Sequence, residues 1–188
     1  MTARRRRWLS AGTLATAAFL ATQLAGAPAA QAAPETQQQL AARVLYYNAS
    51  GAAEFVSAVN QGAANWNASV TNVQLRPVPA GGRANITVTA DNGWPRAQVT
   101  SLGNGRIWMG RQAVQQGHYP PRIAAHEFGH ILGLPDRRTG LCTDLMSGSS
   151  APASCRNDRP NTAEAREVNN RFAGSLVATA PATFSWES

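Results

Sequence analysis

Two histidines and a glutamate in the run His126-Glu127-Phe128-Gly129-His130 have the residue types and the spacing of a metal site. Residues four apart on an α-helix lie on the same face, so His126 and His130 can direct their rings at one ion. Glu127 lies one position along the same turn, near enough to reach a water molecule on that ion. The pattern therefore predicts zinc-dependent hydrolysis, in which Glu127 activates the zinc-bound water as general base.

The residues that follow offer a third protein ligand. Gly133 can adopt a positive φ and end the helix, and the chain can then turn so that Asp136 returns to the ion. Three protein ligands, His126, His130 and Asp136, leave zinc one position for water, which is the arrangement of a catalytic site. The alternative is that these are surface polar residues and Gly133 is an ordinary helix cap. The third histidine, His118, lies outside the pattern, and we expect it in a solvated loop.

The helices that must position these residues can be located from the sequence. A helix begins at Pro120-Pro121, because proline is tolerated in a first helical turn, and it runs to about Leu132. Apolar residues spaced three and four apart predict an earlier helix over residues 52–68. A third helix is predicted over Thr162–Phe172, with Asn161 or Thr162 as the cap and Glu164 in its first turn.

Four runs of β-type residues indicate one small sheet. They are Arg43–Tyr47, Val73–Pro77, Ile86–Ala90 and Arg106–Met109. The last run is flanked by glycines, and we expect it to offer an open edge on which an extended peptide substrate pairs.

The N-terminal residues have the order of a secretory signal. Arg4–Arg7 form a basic end, Trp8–Ala25 an apolar middle, and Ala30-Gln31-Ala32 a small-residue cleavage site. A membrane anchor is the alternative, but serine, threonine and glutamine dilute the apolar run and no second such segment follows. We therefore predict an extracellular protein with no membrane anchor after cleavage.

These features divide the chain into four parts. Residues 1–32 are predicted to be the signal peptide, 33–42 a short pro-segment or linker, 43–174 the folded domain, and 175–188 a C-terminal tail. We expect the domain to be a monomer.

The charge distribution argues against a nucleic-acid partner. All 17 basic residues are arginine, and removal of residues 1–32 leaves 13 arginines against 10 acids, a net charge of +3 rather than +7. The remaining arginines are scattered, and no basic run is interleaved with aromatic residues as in proteins that follow a phosphate backbone.

The two cysteines, Cys142 and Cys155, both lie in the exported part of the chain. An oxidising environment favours their pairing, so we predict one disulfide. Metal binding by the pair is the alternative, but two cysteines thirteen positions apart without a nearby histidine are a poor zinc site.

The metal motif resembles that of the metzincin metallopeptidases, with Asp136 where most of that clan has a third histidine. The chain is also short, carries a secretory leader, and has its two cysteines on either side of a Leu-Met-Ser-Gly run. Together with the motif, these features resemble the snapalysins, the small secreted neutral proteases of actinomycetes. The resemblance covers nearly the whole exported part and rests on Tyr47–Ser50, Trp66-Asn67, Asn72–Arg76, His126–Asp136, Leu145–Gly148, Pro160-Asn161, Glu164–Arg166 and Val168-Asn169.

The resemblance implies an α+β, metzincin-like single domain. Its small twisted mixed sheet would have about four to five strands, with an active-site helix, a Met-turn and a C-terminal helix. Met146 would form the Met-turn, an apolar floor under the ligand rings; without the resemblance, Met146 is simply a core residue. The family also implies protein or peptide substrates and a pocket around residues 146–152 that prefers an aromatic side chain after the scissile bond.

Two departures from the snapalysin pattern alter these implications. The positions of the family's calcium ligands are occupied by Tyr119 and Pro121, whose side chains are poor ligands for a hard cation, so a calcium site there is doubtful. A family tyrosine two residues after the aspartate ligand is replaced by Arg138. This arginine either stabilises the transition state in place of the tyrosine or is a solvated surface residue.

The sequence thus predicts a secreted zinc endopeptidase with one zinc ion per chain. Two alternatives stay open, because the motif specifies the activation of water and not the bond that is broken. The first is a zinc hydrolase acting on a non-protein amide, and the second is a secreted zinc-binding module without activity. The intact Glu127 argues against the second, since a binding module has no use for a base beside the metal.

Overall fold

A computed structural model describes residues 42–174 and 181–186. The predicted signal peptide, residues 1–32, and all but the last residue of the predicted pro-segment lie outside the described residues. In the part that is described, no helix is long and apolar enough to span a membrane.

The centre of the fold is a mixed sheet, to which the described residues contribute six strands in the order β2-β1-β3-β5-β4-β6. The first four strands in this order are parallel, whereas β4 is antiparallel to β5, and β6 is antiparallel to β4. The strand bounds are β1 Arg43–Gly51, β2 Val73–Pro77, β3 Ile86–Asp91, β4 Arg96–Ser101, β5 Asn104–Gly110 and β6 Ala182–Ser185.

Within residues 42–174 and 181–186, four α-helices and two short 3₁₀ segments accompany the sheet. The α-helices are α1 Val56–Ser69, α2 Arg111–Gln115, α3 Pro120–Ile131 and α4 Thr162–Arg171. The 3₁₀ segments are Ala53–Phe55, directly before α1, and Leu145–Ser150, between α3 and α4.

The main core lies where α1 and α3 pack together beside the sheet. The Trp66 indole of α1 is fully buried and donates a hydrogen bond of 2.7 Å to the carbonyl of Ala125 in α3. Apolar residues of α3, including Ile123, Phe128 and Ile131, are also fully buried in this core. The helix that carries the metal motif is therefore fixed on a rigid part of the fold.

Sequence signals explain where the last helix begins. Asn161 Oδ1 accepts from the backbone N–H of Glu164, and the Glu164 carboxylate accepts in return from the N–H of Asn161. This reciprocal capping box pairs two N–H groups that the first turn would otherwise leave unpaired. The helix begins at Thr162 as predicted and ends at Arg171, one residue before the predicted end.

The predicted α+β, metzincin-like fold is confirmed, with six strands instead of four to five. Of the two strands that the analysis missed, β4 follows Pro95 and alternates polar residues with the buried Ala97 and Val99, so its apolar signal is weak. The other, β6, falls in the range predicted as a tail.

The predicted open edge at Arg106–Met109 is wrong. These residues belong to β5, which pairs with β3 on one side and with β4 on the other. On its other side, β4 pairs with β6, which is the last strand in the sheet order.

Candidate metal centre and active site

The side chains of His126, His130 and Asp136 converge at the C-terminal half of α3. The two Nε2 atoms lie 3.0 Å apart, and Asp136 Oδ1 lies 3.2 Å from Nε2 of His126 and 3.6 Å from Nε2 of His130. Atoms bound to one tetrahedral zinc ion at 2.0–2.2 Å lie about 3.3–3.6 Å from one another. The three residues that the sequence analysis selected as ligands are therefore spaced as a single ion requires.

The end of α3 explains how Asp136 reaches the histidines. Gly133 has φ = 99°, a conformation that other residues rarely adopt. The N–H of Gly133 donates to His130 O at 2.9 Å, and the N–H of Leu134 donates to Gly129 O, also at 2.9 Å. These two bonds form a Schellman motif, which ends the helix and reverses the chain. The predicted role of Gly133 as the helix stop matches this geometry.

Backbone carbonyls orient both histidine rings. His126 Nδ1 lies 3.0 Å from Leu145 O, and His130 Nδ1 lies 2.8 Å from Leu134 O. A carbonyl oxygen only accepts, so each Nδ1 must carry the ring proton. Both Nε2 atoms then present lone pairs to each other at 3.0 Å. This arrangement is repulsive unless a cation lies between the lone pairs, so the donor set fits a metal ion.

The protonation of the ligands supports the same conclusion. Burial first, and the neighbouring His126 second, lower the pKa of His130 to about 3, so this ring stays in the neutral form that binds metals. Burial opposes ionisation of Asp136, but the neighbouring imidazoles and the Arg138 guanidinium outweigh it and lower the pKa of that carboxyl. At neutral pH the cluster thus contains the neutral imidazole of His130 and the ionised carboxylate of Asp136.

Glu127 is a buried acid whose two carboxyl oxygens accept no hydrogen bond from any residue that the structure describes. Burial raises the pKa of this carboxyl well above its usual value, and the charge of Asp136 adds to the effect. A buried carboxyl group without a partner is costly to a fold, so such a group is expected where a bound molecule supplies the partner.

Met146 is fully buried and packs directly against α3. A Cβ atom placed on Gly129 would lie 2.5 Å from Met146 Sδ, so only glycine permits this close approach. Gly129 lies between the two histidines in the motif, which brings Met146 beside the helix turn that carries them. The Met-turn role of Met146 stays a prediction.

Residues 142–157, which contain Met146, form a loop that we call the Met146 loop. Two residues that the sequence did not assign to the site hold this loop in place. The buried Glu164 carboxylate accepts from the N–H groups of Leu145 and Met146 at 3.2 and 2.8 Å. The buried Arg122 guanidinium donates to three carbonyls of the same region, those of Cys142, Asp144 and Asn157, at 2.7–3.0 Å. The capping-box spacing could have indicated a structural role for Glu164, whereas no sequence signal marks Arg122.

The predicted disulfide between Cys142 and Cys155 is confirmed, with a Cα–Cα distance of 5.5 Å. The bridge closes the segment that contains Met146. Because Met146 packs on α3, the disulfide restrains the chain next to the candidate metal ligands.

His118 does not fit its predicted place in a solvated loop. Its side chain is half-buried, its ring centroid lies 5.4 Å from that of Trp186, and burial, followed by the charge of Arg122, lowers its pKa. The signal that could have located this contact is the alternation Phe184-Ser185-Trp186, which is typical of a strand with one aromatic face.

Arg138 is not a freely solvated residue. Its Nη2 lies 3.0 Å from Asp136 Oδ2, and its Nη1 lies 3.0 Å from Ser149 Oγ. The same guanidinium donates to the carbonyls of Ser185 and Trp186, both at 3.0 Å. Arg138 thus contacts both Asp136, the third candidate metal ligand, and the C-terminal strand.

Comparison with known proteins identifies the family of the chain that carries this site. Residues 42–175 match the Streptomyces extracellular neutral proteinase (M7) family. The chain belongs to this family. The match covers all the described residues of the metal centre and the Met146 loop, and it confirms the resemblance to the snapalysins.

Individual relatives are similar over most of the described domain. A protein of Streptomyces caespitosus is 41% identical over 129 residues, which are 68% of this chain and 95% of the relative. Proteins of Streptomyces sp. (strain C5) and Streptomyces lividans are 40% and 38% identical over 140 and 138 residues, 73% of this chain in each case. All three are named extracellular small neutral protease. The chain spans 60% of the length of the latter two relatives.

Proposed function

We propose that this chain is a secreted, zinc-dependent endopeptidase that hydrolyses peptide bonds of extracellular proteins. The observation that carries the proposal is the buried Glu127 carboxyl without a partner among the described residues, next to a His-His-Asp cluster with the spacing of one metal ion. The relatives' shared name, extracellular small neutral protease, supports both the reaction and the location.

The metal site would be formed by His126, His130 and Asp136, with one zinc ion per chain. Imidazole nitrogen together with a single carboxylate favours zinc over calcium or magnesium, which prefer oxygen ligands. When bound, zinc supplies Lewis acidity, which polarises a carbonyl and lowers the pKa of water toward 7.

Glu127 is proposed as the general base of the reaction. Its raised proton affinity and its unpaired oxygens suit it to take the proton of the attacking water and to transfer this proton to the leaving amine. Burial excludes competing solvent from the carboxyl, so the proton stays available for the second step.

The outer edge of β4, rather than β5, is proposed to align the substrate. An extended peptide that pairs with an edge strand forms main-chain hydrogen bonds whatever its sequence, so one side-chain pocket can determine specificity. We assign that pocket to residues 146–152 and propose that it prefers an aromatic residue after the scissile bond. Arg138 Nη1 donates both to Ser149 Oγ in this segment and to the carbonyl of Trp186. The buried Trp186 therefore lies beside the segment, which indicates that the pocket has room for a large ring.

Arg138 is proposed to help stabilise the negative charge that develops on the substrate carbonyl. A guanidinium beside the third ligand carries several donors, and a donor aimed at that oxygen lowers the barrier. We expect Arg138→Ala to lower kcat about tenfold, and Arg138→Tyr to restore part of this loss. An unchanged kcat for the alanine variant would exclude this role.

The test of the function compares metal content and proteolysis in matched variants. Glu127→Ala should abolish casein hydrolysis while zinc stays near one per chain, since Glu127 is not a ligand. Asp136→Ala should lower both zinc content and activity. Glu54→Ala serves as the control, because Glu54 forms an exposed ion pair with Arg111, just before α1.

The outcomes separate the alternatives. Casein hydrolysis that a chelator abolishes and zinc restores supports the endopeptidase. Stoichiometric zinc without hydrolysis of casein would favour the hydrolase of a non-protein amide, and activity on no amide at all would leave a zinc-binding module. Glu127→Ala protein with more than a few per cent of the wild-type activity would remove Glu127 from its role.

A further inference from the structure

The last described residues of the chain form the edge strand next to the metal centre. We call Ala182–Trp186 the C-terminal segment. Its β6 residues pair antiparallel with β4, with Phe184 opposite Ala97 and Ser185 opposite Arg96. The N–H of Trp186 continues the ladder with a hydrogen bond of 2.9 Å to Pro95 O. The main chain of the segment thus occupies the edge of β4 on which the proposed substrate would pair.

Two aromatic side chains of the segment cover the proposed metal ligands. The Phe184 ring stacks on His130, with centroids 4.2 Å apart and an interplanar angle of 4°. The Trp186 ring contacts His126 edge-on, with centroids 4.7 Å apart. Side chains two positions apart on a strand project to the same face, so one extended segment places both rings over the site. Trp186 is completely buried.

Arg138 ties the segment to the third proposed ligand. Its guanidinium donates to Ser185 O and Trp186 O, each at 3.0 Å, and also to Asp136 Oδ2 at 3.0 Å. These contacts use the carbonyls of the segment and not its side chains, which is how an extended polypeptide of any sequence could be held. The segment therefore binds as a peptide ligand, with strand pairing on one side and a cation on its carbonyls.

We propose that the C-terminal segment is an intramolecular ligand of the proposed active site, formed by the candidate metal ligands and the edge of β4. The segment keeps the enzyme latent until it is displaced or removed. The proposal rests on the proposed function, since it concerns the regulation of the same site. A substrate strand cannot pair with β4 while β6 is paired there, and it cannot approach His126 and His130 through the two rings. Binding of substrate and binding of the segment are therefore mutually exclusive.

The expected strength of this inhibition follows from the tether. A segment joined to its site by a short linker has an effective concentration on the order of millimolar. If the free segment binds with a Kd of about 0.1 mM, the occupied form exceeds the open form about tenfold. The apparent KM for substrate then rises by the same factor, while kcat at saturating substrate is unchanged.

The first experiment compares the exported chain with a form that ends at Gly174. We expect truncation to lower KM for a peptide substrate about tenfold with little change in kcat. Since loss of the buried Trp186 could unfold the protein, the double variant Phe184→Ser, Trp186→Ser in the full chain provides the same comparison, with circular dichroism as the check on folding. Thr183→Ala is the matched control, because Thr183 is exposed and lies on the opposite face of β6.

The second experiment measures binding without catalysis. A synthetic peptide of residues 181–188 is titrated into the Gly174 form carrying Glu127→Ala, with calorimetry as the readout. We expect binding in the range of 0.01–1 mM, and none for the peptide with serine at both aromatic positions. Chelator should also remove zinc more slowly from the full chain than from the truncated form, because the rings cover the site.

These measurements separate the latency from the proposed function. If the peptide binds and slows zinc loss but no form hydrolyses protein, the segment is a ligand of the site and the endopeptidase function is wrong. If truncation and the double variant leave KM unchanged in folded, active protein, and the peptide does not bind at 1 mM, the proposal is overturned.

Discussion

Replacement of Glu164 tests whether the structure identifies correctly what holds the Met146 loop. The Glu164 carboxylate is 1% exposed and accepts three backbone hydrogen bonds, from Leu145, Met146 and Asn161, at 3.2, 2.8 and 2.7 Å. Glu164→Ala removes both acceptor oxygens and leaves three N–H groups without this partner, two of them buried. Each such group costs about 1–3 kcal/mol. Partial relaxation and entry of water reduce the sum, so we expect a loss of about 3–5 kcal/mol of unfolding free energy.

The measurement is urea unfolding followed by tryptophan fluorescence, with stability compared at equal m-value. Glu167→Ala is the control on the same helix. Its ion pairs with Arg137 and Arg171 lie at the surface, and pairs of this kind contribute about 0–1 kcal/mol. Glu164→Gln keeps the shape but turns an amide NH₂ toward an N–H donor, so its loss should fall between those of the other two variants.

The same substitution should weaken metal binding, because Leu145 joins the two networks. Its N–H donates to Glu164, and its carbonyl accepts from Nδ1 of the proposed ligand His126. Loss of such a supporting contact lowers metal affinity about 10–100-fold. A Glu164→Ala protein that is as stable as Glu167→Ala, with unchanged zinc affinity, would refute the reasoning.

Three further predictions concern the same region. Reduction of the Cys142–Cys155 bridge should lower the unfolding free energy by roughly 3 kcal/mol, measured by urea unfolding with and without reductant; equal curves would contradict it. A calcium-selective chelator that spares zinc should leave the melting temperature unchanged, because Tyr119 is a poor ligand for a hard cation; a fall that calcium reverses would show a site elsewhere. Gly129→Ala should destabilise by about 1–3 kcal/mol despite the higher helix propensity of alanine, because its Cβ would meet Met146 Sδ at 2.5 Å; a gain in thermal stability would disprove this close packing.

The elements that the sequence predicted well are those whose signals are local. The ends of α3 depend on Pro120 and Gly133, whose backbone preferences act within one turn. The His126-His130-Asp136 cluster is local too, since its three side chains lie within eleven residues. Helix periodicity and a single turn bring them together, so their meeting could be predicted without knowledge of the rest of the fold.

The elements that the sequence analysis missed depend on partners far along the chain. Strand β6 forms because Phe184 and Ser185 pair with β4, which lies almost ninety positions earlier in the sequence. Arg122 acts on Asp144 and Asn157, which are 22 and 35 positions away. Composition and spacing contain no information about such pairings, and a buried arginine looks like any other arginine in the sequence. The open edge was assigned to the wrong strand for the same reason, because an edge is defined by which strands are neighbours.

Arg138 shows how a long-range contact changes the interpretation of a single residue. From the sequence it was either a solvated residue or a substitute for a tyrosine that stabilises the transition state. The structure places its donors on Asp136 and on the carbonyls of Ser185 and Trp186, 47 and 48 positions away. A tyrosine hydroxyl has one proton and could not donate to all three oxygens, whereas a guanidinium has five donors in a fixed plane. The departure from the family pattern at Arg138 and the docking of the C-terminal segment are therefore physically coupled, since the arginine supplies the donors that the segment requires.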